Sequence, residues 1–247
     1  MVPEPIDEFG PERYGDSFAD VYDEWYDDVS DAQATAQFLD RFGEGQRVLE
    51  LGVGTGRLSG ATAAYGHHVV GLDISKAMLD RFRPTAGSRA VRADMRILPF
   101  AGSAFDTVLV ATNTLFNLHG EGMQAQCFAE CRRVLRLGGR LIVEAMIPGQ
   151  PDPSLDRLVT TRSIGVDSAV LTATIRDPLE QEIVGQHIQI SENGIRLRPW
   201  KIRYATPTQL DAMAADAGFH RGARYADWDQ TQITESSASA VSVYVAS

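Results

Sequence analysis

At 247 residues, 44% of them hydrophobic and 23% charged, the chain suits one large domain, or one domain with a sizeable insertion. Its net charge is −10, and residues 1–31 alone hold eleven carboxylates against one base, Arg13, so the remainder is neutral overall. That balance argues against nucleic-acid partners and anionic membrane surfaces; the lack of any long apolar run or leader pattern, with only two cysteines, sets the expectation of a cytoplasmic protein without a membrane span.

Residues 17–29 read as an amphipathic helix, with Phe18, Val21, Tyr22, Trp25, Tyr26 and Val29 recurring at three and four. Asp20, Asp23, Glu24, Asp27 and Asp28 mostly fill its other, solvated face. A second helix is expected from Ser30, with Gln33 completing a capping box, to Phe42, where Gly43 and Gly45 stop it. From residue 46 short strands and helices alternate: strands at 47–52, 68–73, 89–95, 104–112 and 140–146, helices at 56–66, 74–82 and 123–135, and a turn at 136–139. Strands that are apolar throughout and spaced by helices predict a parallel sheet covered on both faces. Residues 151–205 break the rhythm with four strand-like runs separated by turns, which predicts an antiparallel insertion. A capped helix at 206–218 and a closing antiparallel pair at 219–225 and 240–246 complete the chain.

The strongest chemical signal is ELGVGTG at residues 50–56, where a strand ends, glycines alternate and a helix begins. Glycine permits a sharp turn and a close ligand approach, and the helix start offers free N–H groups to a polar or anionic end. The spacing is G-x-G-x-G: Arg57 stands where a dinucleotide fingerprint has its third glycine, and the Gly-Lys-Ser/Thr of a phosphate loop is absent. Asp73 closes the second strand and suits both hydroxyls of an unphosphorylated ribose. Asp94, followed by Met95, closes the third and suits the amine and flat face of adenine.

The ordered set ELGVGTGR, GLDIS with Met78, ADM, FDTVLV and RVLRLGGRLIVEA resembles the successive motifs of class I S-adenosylmethionine-dependent methyltransferases over residues 47–146. The resemblance implies a Rossmann-like, mostly parallel sheet of order 3-2-1-4-5-7-6 and S-adenosylmethionine as cofactor, with S-adenosylhomocysteine as product. It implies Gly52, Gly54 and Gly56 against the methionine part, with Glu50 at the head of that loop among the cofactor contacts. It further implies Asp73 at the ribose, Ile74 and Met78 near the adenine, Asp94 and Met95 at the adenine edge, and Thr112 and Asn113 facing cofactor and acceptor. Leu137 departs from the proline usual before Gly-Gly, at a turn distant from the chemistry.

ATNTLF after the fourth strand lacks the proline motif of enzymes acting on nucleic-acid bases or protein amides. Glu144 is the only acid near strands four and five, so no metal is expected. ADVYDEWY at residues 19–26 and the antiparallel strands are similar to bacterial aminosugar N,N-dimethyltransferases of antibiotic pathways. That similarity implies lid helices over 1–45 whose Tyr22 and Tyr26 close over the cofactor, a cofactor-binding core over 46–150, and an insertion over 151–205. The insertion walls the acceptor pocket and can mediate a homodimer; residues 206–247 close the core. The expected reaction is methyl transfer to nitrogen or oxygen of a small-molecule acceptor in secondary metabolism, the alternative being a non-catalytic cofactor-binding partner subunit. The acceptor must lose a proton, and the candidates for helping are His119, Glu144 and Tyr26. Each also has a bland reading: a loop histidine, a backbone-bonded carboxylate, a packed ring. Trp200 is an apolar wall of the acceptor pocket or sheet packing, Arg57 a partner for the cofactor carboxylate or a solvated residue, and Tyr14 a pocket or surface residue. Cys127 and Cys131 read as buried thiols, and His67 and His68 as a solvated edge.

Overall fold

In the computed structural model, which describes residues 9–26, 31–149, 152, 154 and 156–247, the strand–helix alternation after residue 46 builds a seven-stranded sheet. Its parallel part is β1 (Arg47–Leu51), β2 (His68–Asp73), β3 (Ser88–Arg92), β4 (Phe105–Val110) and β5 (Leu135–Met146). Antiparallel β10 (Phe219–Tyr225) and β11 (Ser239–Ala246) complete it. The spatial order β3-β2-β1-β4-β5-β11-β10 is the expected 3-2-1-4-5-7-6 once the insertion is left out of the count.

Alternation along each strand explains the two-sided core. Leu141 and Val143 of β5 join Leu51, Phe116, Phe128 and Tyr244 on one face, where α6 (Met123–Val134) and α7 (Pro207–Asp216) pack. Ile142 points the other way, into a cluster with Phe38, Leu58, Val69 and Val243 under α3 (Ala32–Asp40) and α4 (Arg57–Ala64). Cys127 and Cys131 are buried free thiols. His67 is buried rather than solvated, with Nδ1 accepting the Gln46 backbone N–H at 3.2 Å.

Several boundaries differ from the sequence reading. The expected helix over 17–29 is two short helices, α1 (Arg13–Phe18) and α2 (Tyr22–Tyr26), with a turn between them. The break has a cause: Arg198 donates to the Ser17 carbonyl and forks onto the Asp20 carboxylate at 2.6 and 2.9 Å, pulling the turn onto another element. Residues 27–30, with Val29 and Ser30, lie outside the described residues, and α3 is capped by Asp31, whose side chain accepts the Ala34 N–H at 2.9 Å. The helix α5 shrinks to Lys76–Leu79: beyond it the Arg81 and Phe82 N–H groups close tighter turns onto the Met78 and Leu79 carbonyls, and the Arg83 N–H bonds the Thr55 carbonyl instead. β3 ends at Arg92, which leaves Asp94 and Met95 on the loop beyond it. Residues 136–139 bulge within β5, whose pairing to β4 jumps from Leu135 to Arg140.

The insertion is a four-stranded antiparallel meander of β6 (Arg157–Ile164), β7 (Ser168–Asp177), β8 (Glu182–Ser191) and β9 (Gly194–Arg203). Ile183 and Ile202 pack against the main core. Among the described residues, no helix is long and apolar enough to cross a membrane.

Gly185 on β8 sits under the Trp200 indole, paired to it across the ladder; a Cβ there would meet Trp200 Cε2 at 2.0 Å. Only glycine lets the indole lie flat across the neighbouring strand. Gly185→Ala is therefore expected to displace Trp200 and cost about 1–3 kcal/mol, the usual penalty of overpacking, read as a lowered urea midpoint at unchanged m-value.

Candidate active site

The strand order reverses between β1 and β4, and the crevice outside the carboxyl ends of the strands is where an open parallel sheet binds ligands. A cavity of about 330 Å³ opens there. One half is lined by Gly52, Gly54, Asp73, Ile74, Met78, Asp94 and Met95, the other by Tyr14, Tyr22, Tyr26, Ile183, His187, Trp200 and Ile202. Sheet residues thus meet the N-terminal helices and the insertion around a single space.

The glycine loop is shaped by what surrounds it. Gly52 holds φ +70°, and a Cβ there would strike Thr114 Cγ2 at 2.4 Å. At Gly54, φ +55°, a Cβ would find only Tyr22 at 3.7 Å and Met78 at 3.9 Å, so Gly54 is the open floor of the loop beneath the Tyr22 ring. Gly56, expected against the cofactor, instead lines no part of the cavity and packs on Phe82, where a Cβ would come within 2.6 Å.

Asp73 enters the cavity with each carboxylate oxygen accepting one backbone N–H, from Gly54 and from Ser75, both at 2.9 Å. Burial pushes its carboxyl above the usual range. Asp94 also lines the cavity, but its carboxylate is gripped by Arg96 through Nε at 3.0 and 3.1 Å and through the backbone N–H at 2.8 Å. Burial alone would raise that carboxyl; the Arg96 hydrogen bonds and charge outweigh it and hold it low.

Two side chains singled out as chemical candidates, His119 and Glu144, and one expected cofactor contact, Glu50, lie off this cavity. His119 is not on the cavity: it donates Nε2–H to the Phe9 carbonyl at 3.1 Å, which commits that nitrogen and fixes the tautomer. Glu144 is spent on structure, accepting the Thr112 N–H at 2.8 Å and the Trp228 indole N–H at 3.0 Å. It thereby holds the loop after β4, where Thr112 and Asn113 carry positive φ, and Asn113 Oδ1 accepts the Met146 N–H at 2.6 Å. Glu50 is 4% exposed behind the glycine loop, bonded to Ser59 at 2.5 Å, and faces a small side cavity that it shares with Arg57 and Tyr22.

Tyr22 and Tyr26 do face inward, stacked with centroids 4.9 Å apart, and Tyr14 joins them. Burial drives the Tyr22 hydroxyl up to about 12, and burial with the neighbouring phenols drives that of Tyr14 well above its usual value. Both are neutral across the physiological range.

The residue that the sequence reading missed is His187. It lines the cavity from β8, its Nδ1 shares a hydrogen bond with Thr172 Oγ1 at 2.8 Å, and its ring is packed edge-on by Phe18 and Trp25. Burial first, then the charges of Arg162 and Arg198, lower its pKa to about 4, so it too is neutral. The alternation Ile183, Gly185, His187 on one face of β8 was the available signal.

A family model described as a methyltransferase domain matches residues 49–143. The demethylmenaquinone methyltransferase of Clavibacter sepedonicus is 30% identical over 187 residues, 73% of this chain and 74% of that protein. The solved structure of the CcbJ methyltransferase from Streptomyces caelestis is 35% identical, with TM-score 0.90 over 96% of this chain and all of that one. The SAM-bound amino pentose methyltransferase CalS10 from Micromonospora echinaspora shares the fold at 23% identity and TM-score 0.67, over 90% of this chain and 92% of its own.

The buried Glu50 gives a test of the electrostatics behind the glycine loop. Its carboxyl is raised from 4.5 to about 7, so the folded state binds a proton more tightly than the unfolded one. The stabilisation that this supplies is complete below about pH 4.5 and is lost as pH rises toward 7, a swing of about 3 kcal/mol. Glu50→Gln is expected to be more stable than the parent at pH 8 and to flatten that part of the urea stability–pH curve. With the glycine loop, the carboxylate at the end of β2, the sheet order and these relatives in agreement, the chain belongs to the class I S-adenosylmethionine-dependent methyltransferases.

Proposed function

We propose that this protein transfers a methyl group from S-adenosylmethionine to nitrogen or oxygen of a small molecule, in the manner of enzymes of secondary metabolism. The observation that carries this is one cavity lined on one side by Gly52, Gly54 and Asp73 and on the other by the tyrosines, His187 and Trp200. Likeness over the whole length to the Streptomyces CcbJ methyltransferase supports it.

The residues fit the cofactor. Each Asp73 oxygen has one lone pair committed to a backbone N–H and another open to a ribose hydroxyl. Gly54 leaves room for the methionine part, Ile74 and Met78 give an apolar flank for the adenine, and the loop at Asp94 and Met95 gives its edge. Bound there, the cofactor supplies an electrophilic methyl group on a sulfonium. The chain's own task is to align a nucleophile and keep water out. Tyr14, Tyr26, Trp200 and Ile202 exclude water, and no carboxylate lines this half of the cavity among the described residues. His187 presents a neutral imidazole, whose low pKa suits hydrogen bonding to the acceptor rather than storage of its proton.

Calorimetry is expected to show one site per chain for S-adenosylmethionine and for S-adenosylhomocysteine; folded protein that takes neither would overturn the assignment. Asp73→Ala is expected to weaken both by at least about tenfold, through loss of charge-assisted hydrogen bonds. Mass spectrometry of metabolite pools incubated with enzyme and cofactor is expected to reveal an acceptor gaining methyl. With that acceptor, His187→Leu should lower turnover while leaving S-adenosylhomocysteine affinity within about twofold of the parent.

A further inference from the structure

The carboxylates of the N-terminal helices are not only a wet face. Asp16, Asp20 and Asp23 each reach a different element around the cavity. Asp16 accepts from the Ser75 hydroxyl at 2.6 Å, beside Asp73 on the loop after β2. Asp20 takes the fork of Arg198 from β9. Asp23 accepts from Thr55 Oγ1 of the glycine loop at 2.5 Å and pairs with Arg83 at 3.0 Å.

These three attachments differ in strength for physical reasons. Arg198 is 1% exposed; besides Asp20 it bonds the Ser17 carbonyl and Gln189 Oε1, and its guanidinium lies 5.3 Å from the Trp25 ring centre. Separating a buried, multiply bonded ion pair strands a charge away from water, so this attachment is the durable one. Asp23 is the reverse case. Its ionic partner, Arg83, is 81% exposed, where such a pair contributes little, which leaves the hydrogen bond to Thr55 as the stronger of its two contacts. Asp23 adjoins Tyr22, the ring that covers Gly54.

We infer that Asp23 is a positioning residue for the cofactor: its hydrogen bond to Thr55 seats Tyr22 on the glycine loop, and breaking that bond, while Asp20 and Arg198 hold as the pivot, opens the path for cofactor exchange. The inference rests on the reading of this cavity as the cofactor site. It assigns the acids at 16, 20 and 23 a shared function, joining the acceptor wall to the cofactor loop through one pair of short helices.

The test uses the whole chain loaded with tritiated S-adenosylhomocysteine and chased with the unlabelled compound. Asp23→Asn and Thr55→Val are each expected to speed release about tenfold, the equivalent of about 1.4 kcal/mol. The double variant should release no faster than the faster single one, since both changes remove the same bond. The urea midpoint should stay within error of the parent's, a result that a merely structural role would not give. Parental release rates in both single variants would overturn the inference, as would faster release that only tracks a lowered midpoint. A parent chain that binds no S-adenosylhomocysteine would overturn the cofactor reading itself, and this inference with it.

Discussion

A guanidinium with 1% of its surface exposed has to be paired, and the pairing of Arg198 organises the functional end of this molecule. The charge sits on β9, inside a sheet that would otherwise be an appendage. The nearest group able to neutralise it is Asp20, on a segment nearly 180 positions earlier. Satisfying Arg198 draws the N-terminal chain across the insertion, breaks its helical run into α1 and α2, and sets Phe18 and Trp25 against His187. The hydrogen bond to Asp20 holds that carboxyl below its usual range, the mirror of what burial does to Glu50 and Glu144. An interaction of this kind adds little net stability but gives a defined geometry, because leaving it unmade is so costly.

Around that pivot the cavity divides into two chemical regimes. The cofactor half keeps its carboxylates, Asp73 and Asp94, each under restraint by backbone or arginine donors. The other half is neutral: the phenols of Tyr14 and Tyr22, whose pKa values are driven up, the His187 imidazole, whose pKa is driven down, and an indole over a glycine. Burial acts on both titratable types there in the direction that removes charge. A neutral, mostly apolar chamber suits the reacting lone pair of an uncharged nucleophile better than it suits an ammonium ion.

Much of the molecule was legible in the residues. The strand end at residue 73, the first strand's end to within one residue and the glycine loop between β1 and α4 follow from patterns within contiguous stretches, and the seven-stranded order from the family resemblance. Tyr22 and Tyr26 were correctly placed facing inward because a one-turn spacing aligns two side chains wherever the helix ends up. What the residues left open shares another character. His119 looked chemical because it follows the fourth strand, yet its ring turns to the Phe9 carbonyl. Glu144 looked available at the end of β5, yet two donors from distant segments consume it. The acids of α1 and α2 looked solvated because helix periodicity says only which face they occupy, not what comes to meet them.

The sequence by itself determined the strands, the glycine loop and the residues at the ends of β1 and β2, because a strand, a turn and a helix start are encoded by neighbours along the chain. Only the tertiary structure decided which histidine reaches the cavity, which carboxylates are consumed and which acids hold the N-terminal helices down. Those outcomes depend on pairs such as Asp20 with Arg198, Asp23 with Thr55 and Thr172 with His187. The partners are remote in the chain or on adjoining strands, and whether a polar group is buried, bonded or free is a property of where both ends of a contact finish in space.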